Sequence, residues 1–180
     1  MYLVSRIVGE MGGVLSWVQS YFEDDKFVVV LGLDGAGKTA LVHRLRFGET
    51  TDPLPTMGFV IHSVLLHNRK LQIADTCGQD TVRELWGCMY HTADAVIFVV
   101  DGTDAKRLPC AMREIQRVMA YPTLEDKPFL ILNNKQDQNA TCSEELRWQI
   151  RGEMWRMFDV SVKTGHGVDE AMTWLDANMA

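Results

Sequence analysis

The run Gly32-Leu33-Asp34-Gly35-Ala36-Gly37-Lys38-Thr39 spells G-x-x-x-x-G-K-S/T. It lies between the apolar segment Phe27-Val28-Val29-Val30-Leu31 and a helix-forming stretch from Ala40 to Arg46. A strand that turns sharply into a helix leaves successive backbone N–H groups unpaired, and a polyphosphate can satisfy them. Glycine at 32, 35 and 37 permits the turn and removes Cβ atoms that would meet phosphate oxygens. The backbone of Asp34, Gly35, Ala36, Gly37, Lys38, Thr39 and Ala40 is therefore expected to cradle phosphates. Lys38 would reach the β- and γ-phosphates, and the Thr39 hydroxyl would ligate Mg²⁺. The bland alternative, a glycine-rich turn with a surface lysine, does not account for the strand before it and the helix after it.

Base choice is read further along. Asn134-Lys135-Gln136-Asp137 follows the apolar run Phe129-Leu130-Ile131-Leu132, about 95 residues after the phosphate loop, and has the form N-K-x-D. A carboxylate at Asp137 can accept from both N1–H and the exocyclic amine of guanine. Adenine lacks N1–H, and a site built on that bond rejects it. Lys135 would lie over the base, and Asn134 would tie the loops together. Asp75-Thr76-Cys77-Gly78 matches D-x-x-G. There Asp75 would hold Mg²⁺ through a water, the Gly78 N–H would bond the γ-phosphate, and Gln79 would orient the attacking water. Thr56, after Pro55, offers a hydroxyl on a loop that can swing onto the metal. Near the C-terminus, the backbone of Ser161, Val162 and Lys163 could meet the guanine O6. The expected ligands are GTP or GDP with Mg²⁺. Thr39, Thr56 and Asp75 form the metal set, and Lys38, Thr56 and Gln79 the catalytic set.

On these segments, together with Thr56-Met57-Gly58-Phe59, Leu85-Trp86 and Phe98-Val99-Val100-Asp101, the chain resembles the Arf and Arf-like branch of the small GTPases. The likeness spans roughly residues 26 to 178. It implies a GDP/GTP switch acting in vesicle traffic or in recruiting effectors to membranes. Asp34, where Ras-type proteins usually carry glycine, agrees with the Arf type and implies slow unaided hydrolysis. No residue is an evident arginine finger, so fast turnover should need an activating partner. Two departures bear on function. Cys77 stands where the family has the first of two glycines. Ala74 and Met89 stand where a tryptophan and a tyrosine complete an exposed aromatic trio with Phe59.

Alternating strand and helix patterns indicate an α/β fold of the P-loop NTPase type. Six strands are expected, at Lys26–Leu31, Phe59–Leu66, Lys70–Ala74, Asp94–Val100, Pro128–Leu132 and Trp155–Val160. Helices are expected at Lys38–Phe47, Val82–Tyr90, Lys106–Ala120, Ser143–Gly152 and Val168–Asn178. The connection His67-Asn68-Arg69 is too short for a crossover, so one strand must run antiparallel in a mostly parallel sheet. Helices should cover both faces.

Residues 1–22 read as a separate amphipathic helix ahead of a G domain at 23–180. Leu3, Val4, Ile7, Val8, Met11, Val14, Leu15 and Val18 recur at helical spacing, but Arg6 and Glu10 break any run of the ~20 apolar residues a membrane span needs. The resemblance implies that this helix docks on the core with GDP and passes to a membrane or membrane receptor with GTP. Tyr2 excludes the myristoylation motif, and the final residues carry no prenylatable cysteine. The expected localisation is cytoplasmic, with reversible association to Golgi or other endomembranes. A net charge of −6 and the absence of any basic block argue against nucleic acid. Four cysteines without metal spacing suit free thiols in a reducing compartment. The expected partners are an exchange factor, an activating protein and effectors, with the chain itself a monomer. A GTP-loaded scaffold or cargo-release module with negligible hydrolysis is the alternative reading. An ATP-dependent kinase is disfavoured by Asp137.

Overall fold

The computed structural model describes residues 25–50, 56, 58–141, 144, 146, 147 and 154–179, with the side chains of 80–82, 84 and 85 left aside. The N-terminal helix expected at 1–22 lies outside the described residues, as does most of the helix expected at 143–152, of which Glu144, Leu146 and Arg147 are helical.

The core elements are β1 (Lys26–Leu31), α1 (Lys38–Phe47), β2 (Phe59–Leu66), β3 (Arg69–Thr76), β4 (Ala95–Asp101), α2 (Leu108–Met119), β5 (Phe129–Asn134), β6 (Trp155–Asp159) and α3 (Val168–Asn178). The strands form one six-stranded sheet in the order β2-β3-β1-β4-β5-β6. All neighbours pair in parallel except β2 and β3, which run antiparallel from Phe59 opposite Thr76 to Leu66 opposite Arg69. The hairpin closes through His67 and Asn68 alone, with His67 at φ 49° and the Asn68 N–H donating to Leu66 O at 2.8 Å.

The central strands carry nearly unbroken runs of Val, Ile, Leu and Phe because both faces of the sheet are covered. Side-chain alternation divides β1 between two cores. Phe27, Val29 and Leu31 pack with Trp86, Phe98, Ile115 and Ile131 on one face, while Val28 and Val30 pack with Leu41, Ile73, Ile97, Met172 and Leu175 on the other. Helix α2 presents Leu108, Ala111, Ile115 and Val118 to the first core, a spacing that keeps one stripe inward. Each large side chain withdrawn from water stabilises the fold by ~1.5–3 kcal/mol. The edge strand β2 is less committed, with Val60 46% and Leu65 73% exposed while Val64 and Leu66 are buried.

One expected element has a different geometry. The helix expected at Val82–Tyr90 is a 3-10 helix, Asp80–Met89. In that helix residues three apart share a face, which lets Arg83 and Trp86 reach back together onto the preceding loop. Among the described residues no helix is long and apolar enough to cross a membrane. In this topology the loops after β1, β3, β4, β5 and β6 all open at the carboxyl edge of the sheet, where such folds bind ligands.

Candidate functional site

The loop from β1 to α1 is shaped by close approach. Gly32 has φ 138°, and a Cβ there would lie 2.2 Å from Val99 O. Gly37 has φ 103°, and its Cβ would lie 2.4 Å from Asn134 Nδ2. No side chain caps α1, whose N-cap is Gly37, so its first N–H groups remain available to an anion. A cavity of about 420 Å³ opens above them, lined by Asp34, Gly35, Gly37, Lys38, Thr39, Ala40, Thr56 and Thr76 through Gln79. Lys38 is buried and donates from Nζ to Leu33 O at 2.7 Å. Burial pulls its ammonium down to about 8, opposed by the nearby Asp75 charge. A desolvated cation of this kind is poised for an anionic partner.

Three oxygen-bearing side chains converge beside it. Thr39 Oγ1 and Thr56 Oγ1 are 2.9 Å apart, and Thr56 Oγ1 donates to Asp75 Oδ2 at 3.1 Å. Asp75 is 1% exposed, and its Oδ1 has no hydrogen-bond partner among the described residues. A buried carboxylate oxygen left without a partner is costly, and a hard cation with oxygen ligands would satisfy it. Among the described residues no cluster of three or more His, Cys, Asp and Glu could enclose a metal. One carboxylate and two hydroxyls suit Mg²⁺, which keeps waters and takes phosphate oxygens rather than an all-protein cage. The residues present therefore fit the ion.

The loop after β3 closes the cavity. A Cβ on Gly78 would lie 2.4 Å from Asp34 N and 2.5 Å from Lys38 Nζ, so no other residue type fits there. Its carbonyl accepts from buried Arg83 Nε at 2.9 Å, and the Cys77 carbonyl accepts from Trp86 Nε1 at 3.1 Å. The Cys77 N–H donates to Gly58 O at 2.8 Å. Cys77 is not among the residues with positive φ, so the Cβ it carries costs this conformation nothing. Gln79 is exposed at the rim. Ala74 and Met89 are buried in the core, and Phe59 is half-buried against it. The surface that an aromatic trio would supply is thus missing two of its members.

On the far side, Asn134 joins two loops. Its Nδ2 donates to Ala36 O at 2.8 Å, and its Oδ1 accepts from the Val162 N–H at 2.9 Å. Lys135, at φ 67°, donates from Nζ to Asp101 Oδ2 at 2.6 Å. Asp137 Oδ1 accepts from Ser161 Oγ at 2.6 Å. That hydrogen bond, against a smaller effect of burial, holds the exposed Asp137 carboxyl below its usual range and so ionised. Ser161 is buried, and its Oγ accepts from the Thr164 N–H at 3.2 Å. The sequence-predicted residues Asp34 to Ala40, Thr56, Asp75, Gly78 and Gln79 thus gather around one cavity, and Asn134, Lys135, Asp137, Ser161, Val162 and Lys163 gather beside it.

Four residues given no role by sequence reasoning hold this site. Arg83 and Trp86 secure the Gly78 loop. Arg44 of α1 donates from Nε to Val162 O, and from Nη2 to Lys163 O at 2.7 Å. Arg107, at the start of α2, donates from Nη1 to both Asp34 oxygens at 3.1 Å. Of the four, only Trp86 carried a signal, as part of the Leu85-Trp86 pair downstream of D-x-x-G. The three arginines belong to no local motif.

The family model for the ADP-ribosylation factor family matches residues 13–179. ADP-ribosylation factor-like protein 1 of Caenorhabditis elegans is 35% identical over 172 residues, covering 92% of this chain and 96% of that protein. Its namesake in Saccharomyces cerevisiae is 37% identical over 154 residues, covering 82% and 84%. Among solved structures, the Arl6 BBS3 small GTPase of Trypanosoma brucei, with bound nucleotide analogue GppNp, superposes with a TM-score of 0.77. It shares 27% identity, over 86% of this chain and 97% of that one.

Proposed function

This chain belongs to the ADP-ribosylation factor family, a family of small GTPases that hydrolyse GTP to GDP, and on that premise we propose how its own residues run the switch. The observation that carries the reading is the convergence of Thr39, Thr56 and the half-satisfied Asp75 carboxylate beside buried Lys38. Gly35, Ala36, Gly37, Lys38, Thr39 and Ala40 turn backbone N–H groups toward the α- and β-phosphates, and Lys38 spans the β- and γ-phosphates. Thr39 and Thr56 would hold Mg²⁺ directly and Asp75 through a water. When bound, the ion neutralises phosphate charge that would otherwise resist both binding and transfer. Gly78 senses the γ-phosphate through its N–H, in a loop held by the Arg83 bond to its carbonyl. Gln79 orients the attacking water. Asp137 accepts from the guanine N1–H and amine, Lys135 covers the base, and the backbone of Ser161, Val162 and Lys163 faces O6.

The direct test is titration with a fluorescent GDP and GTP analogue, with ATP as competitor and with Mg²⁺ present or chelated. Tight guanine-selective, Mg²⁺-dependent binding is expected, and equal competition by ATP would refute the base site. Asp34, together with the absence of an arginine from the cavity lining among the described residues, leads us to infer slow intrinsic turnover. Single-turnover hydrolysis separates this from a scaffold that barely hydrolyses. Family membership implies an exchange factor, an activating protein and effectors. We place the switch in vesicle traffic or effector recruitment, with residues 1–22 as the reversible contact to Golgi or another endomembrane.

A further inference from the structure

The phosphate cavity carries an acidic side chain of its own. Asp34 is exposed and lines the cavity, in the loop leading into α1, whose N-terminus no side chain caps. An unopposed carboxylate there would repel a γ-phosphate more than a β-phosphate, because the third phosphate adds charge at that end. It is not unopposed. Arg107 Nη1 donates to both Asp34 Oδ1 and Oδ2 at 3.1 Å. The same guanidinium donates from Nε to Asp104 Oδ2 at 2.5 Å, and the Arg107 N–H donates to Asp104 Oδ1 at 3.1 Å. Arg107 is thus braced on its own turn by Asp104 and offers the far end of its guanidinium to a residue 73 positions earlier. The guanidinium lies against the phosphate loop itself: a Cβ on Gly35 would be in ordinary van der Waals contact with Arg107 Nη2, at 3.9 Å. The hydrogen bond from Arg107 holds Asp104 below the usual carboxylate range, keeping the brace charged.

Exposed ion pairs contribute little to folding, and this one is exposed on both sides, at 42% and 57%. A charged ligand a few ångströms away would register the pair more strongly than folding does. We propose that Arg107 is a specificity-determining residue for the third phosphate: it neutralises and holds Asp34, so that the loop accepts a triphosphate as readily as a diphosphate. The inference rests on reading the cavity as the GTP site. Arg107 acts through Asp34: its Nε is engaged by Asp104 and its Nη1 by Asp34, and the double-mutant cycle below separates this route from direct attraction of phosphate by Nη2.

The test measures affinities for fluorescent GDP and for a non-hydrolysable fluorescent GTP analogue, with Mg²⁺, across a double-mutant cycle. The full-length wild type, Arg107→Ala, Asp34→Asn and the double variant are compared. Arg107→Ala should lower the triphosphate-to-diphosphate affinity ratio about five- to tenfold at low salt, with a smaller loss at about 0.5 M salt. Arg107→Lys, which keeps the charge without the fork, should fall between. In the Asp34→Asn background the Arg107→Ala penalty should shrink below about twofold. An unchanged ratio in Arg107→Ala and Arg107→Lys would overturn the proposal. So would a full penalty that persists in the Asp34→Asn background, since Arg107 would then attract phosphate by itself. A wild type that binds neither nucleotide would instead remove the GTP reading on which the proposal stands.

Discussion

Asn134→Ala is expected to destabilise the folded chain by ~2–5 kcal/mol, because it strips two buried backbone groups of their partners at once. Asn134 is 3% exposed, and the residues it serves, Ala36 and Val162, are 0% and 1% exposed. Its amide donates to Ala36 O at 2.8 Å and accepts from the Val162 N–H at 2.9 Å. Each group left unsatisfied costs ~1–3 kcal/mol, with the lower end applying where water enters the space vacated. For a chain of this size each kcal/mol moves Tm by about 2–4 °C, so the shift should be roughly 4–20 °C. The assay is thermal unfolding without added nucleotide, paired with urea denaturation to check that the m-value is unchanged. Excess GDP should recover part of the loss, since a ligand that binds only the folded state adds stability by mass action. A loss under ~0.5 kcal/mol would mean the phosphate loop and the 161–163 loop keep their places without Asn134, refuting the reasoning.

Asp137→Asn should weaken GDP and favour xanthosine diphosphate, because the variant donates where guanine also donates; competition between the two nucleotides decides it, and unchanged guanine preference counts against the assignment. Gln79→Leu should slow GTP hydrolysis while leaving GTP affinity nearly intact, the signature of an interaction made in the transition state, whereas Thr39→Asn should impair Mg²⁺-dependent triphosphate binding. Lys38 predicts a pH effect: its folded value of about 8 lies below the unfolded 10.5, so between the two the unfolded chain binds more protons and stability rises with pH. Melting of nucleotide-free protein from about pH 7 to about 10.5 should show that rise relative to Lys38→Met, and bound nucleotide should abolish it by restoring the ammonium's partner. Leu15→Glu should reduce flotation of the GTP-analogue form with liposomes; identical flotation and identical hydrogen exchange across residues 1–22 in both nucleotide states would make that segment merely structural.

The legible part of this protein was local. Phosphate binding needs consecutive backbone N–H groups at a strand–helix turn, so Gly32 through Thr39 declare it within one short run. The buried strands announce themselves because a sheet covered on both faces leaves no polar positions to break the runs at Phe27–Leu31 or Phe129–Leu132. The short connection at His67 forces the antiparallel pair whatever else the chain does. For the same reason D-x-x-G and N-K-x-D could be placed in order: each ends a strand, and the strand ends share one edge of the sheet.

What the tertiary structure decided was which distant side chains hold those loops. Arg44 is 118 residues from Val162, Arg107 is 73 from Asp34, and Asn134 is 98 from Ala36. No periodicity or spacing encodes such pairs, because they depend on where the sheet order brings loop ends together. Burial was settled the same way. Ala74 and Met89 read in sequence as vacancies in an exposed aromatic surface, yet packing places both in the core. The 3-10 form of Asp80–Met89 was likewise not legible in sequence: Arg83 and Trp86, three apart and on one face of that helix, both bond back to the loop at Cys77 and Gly78.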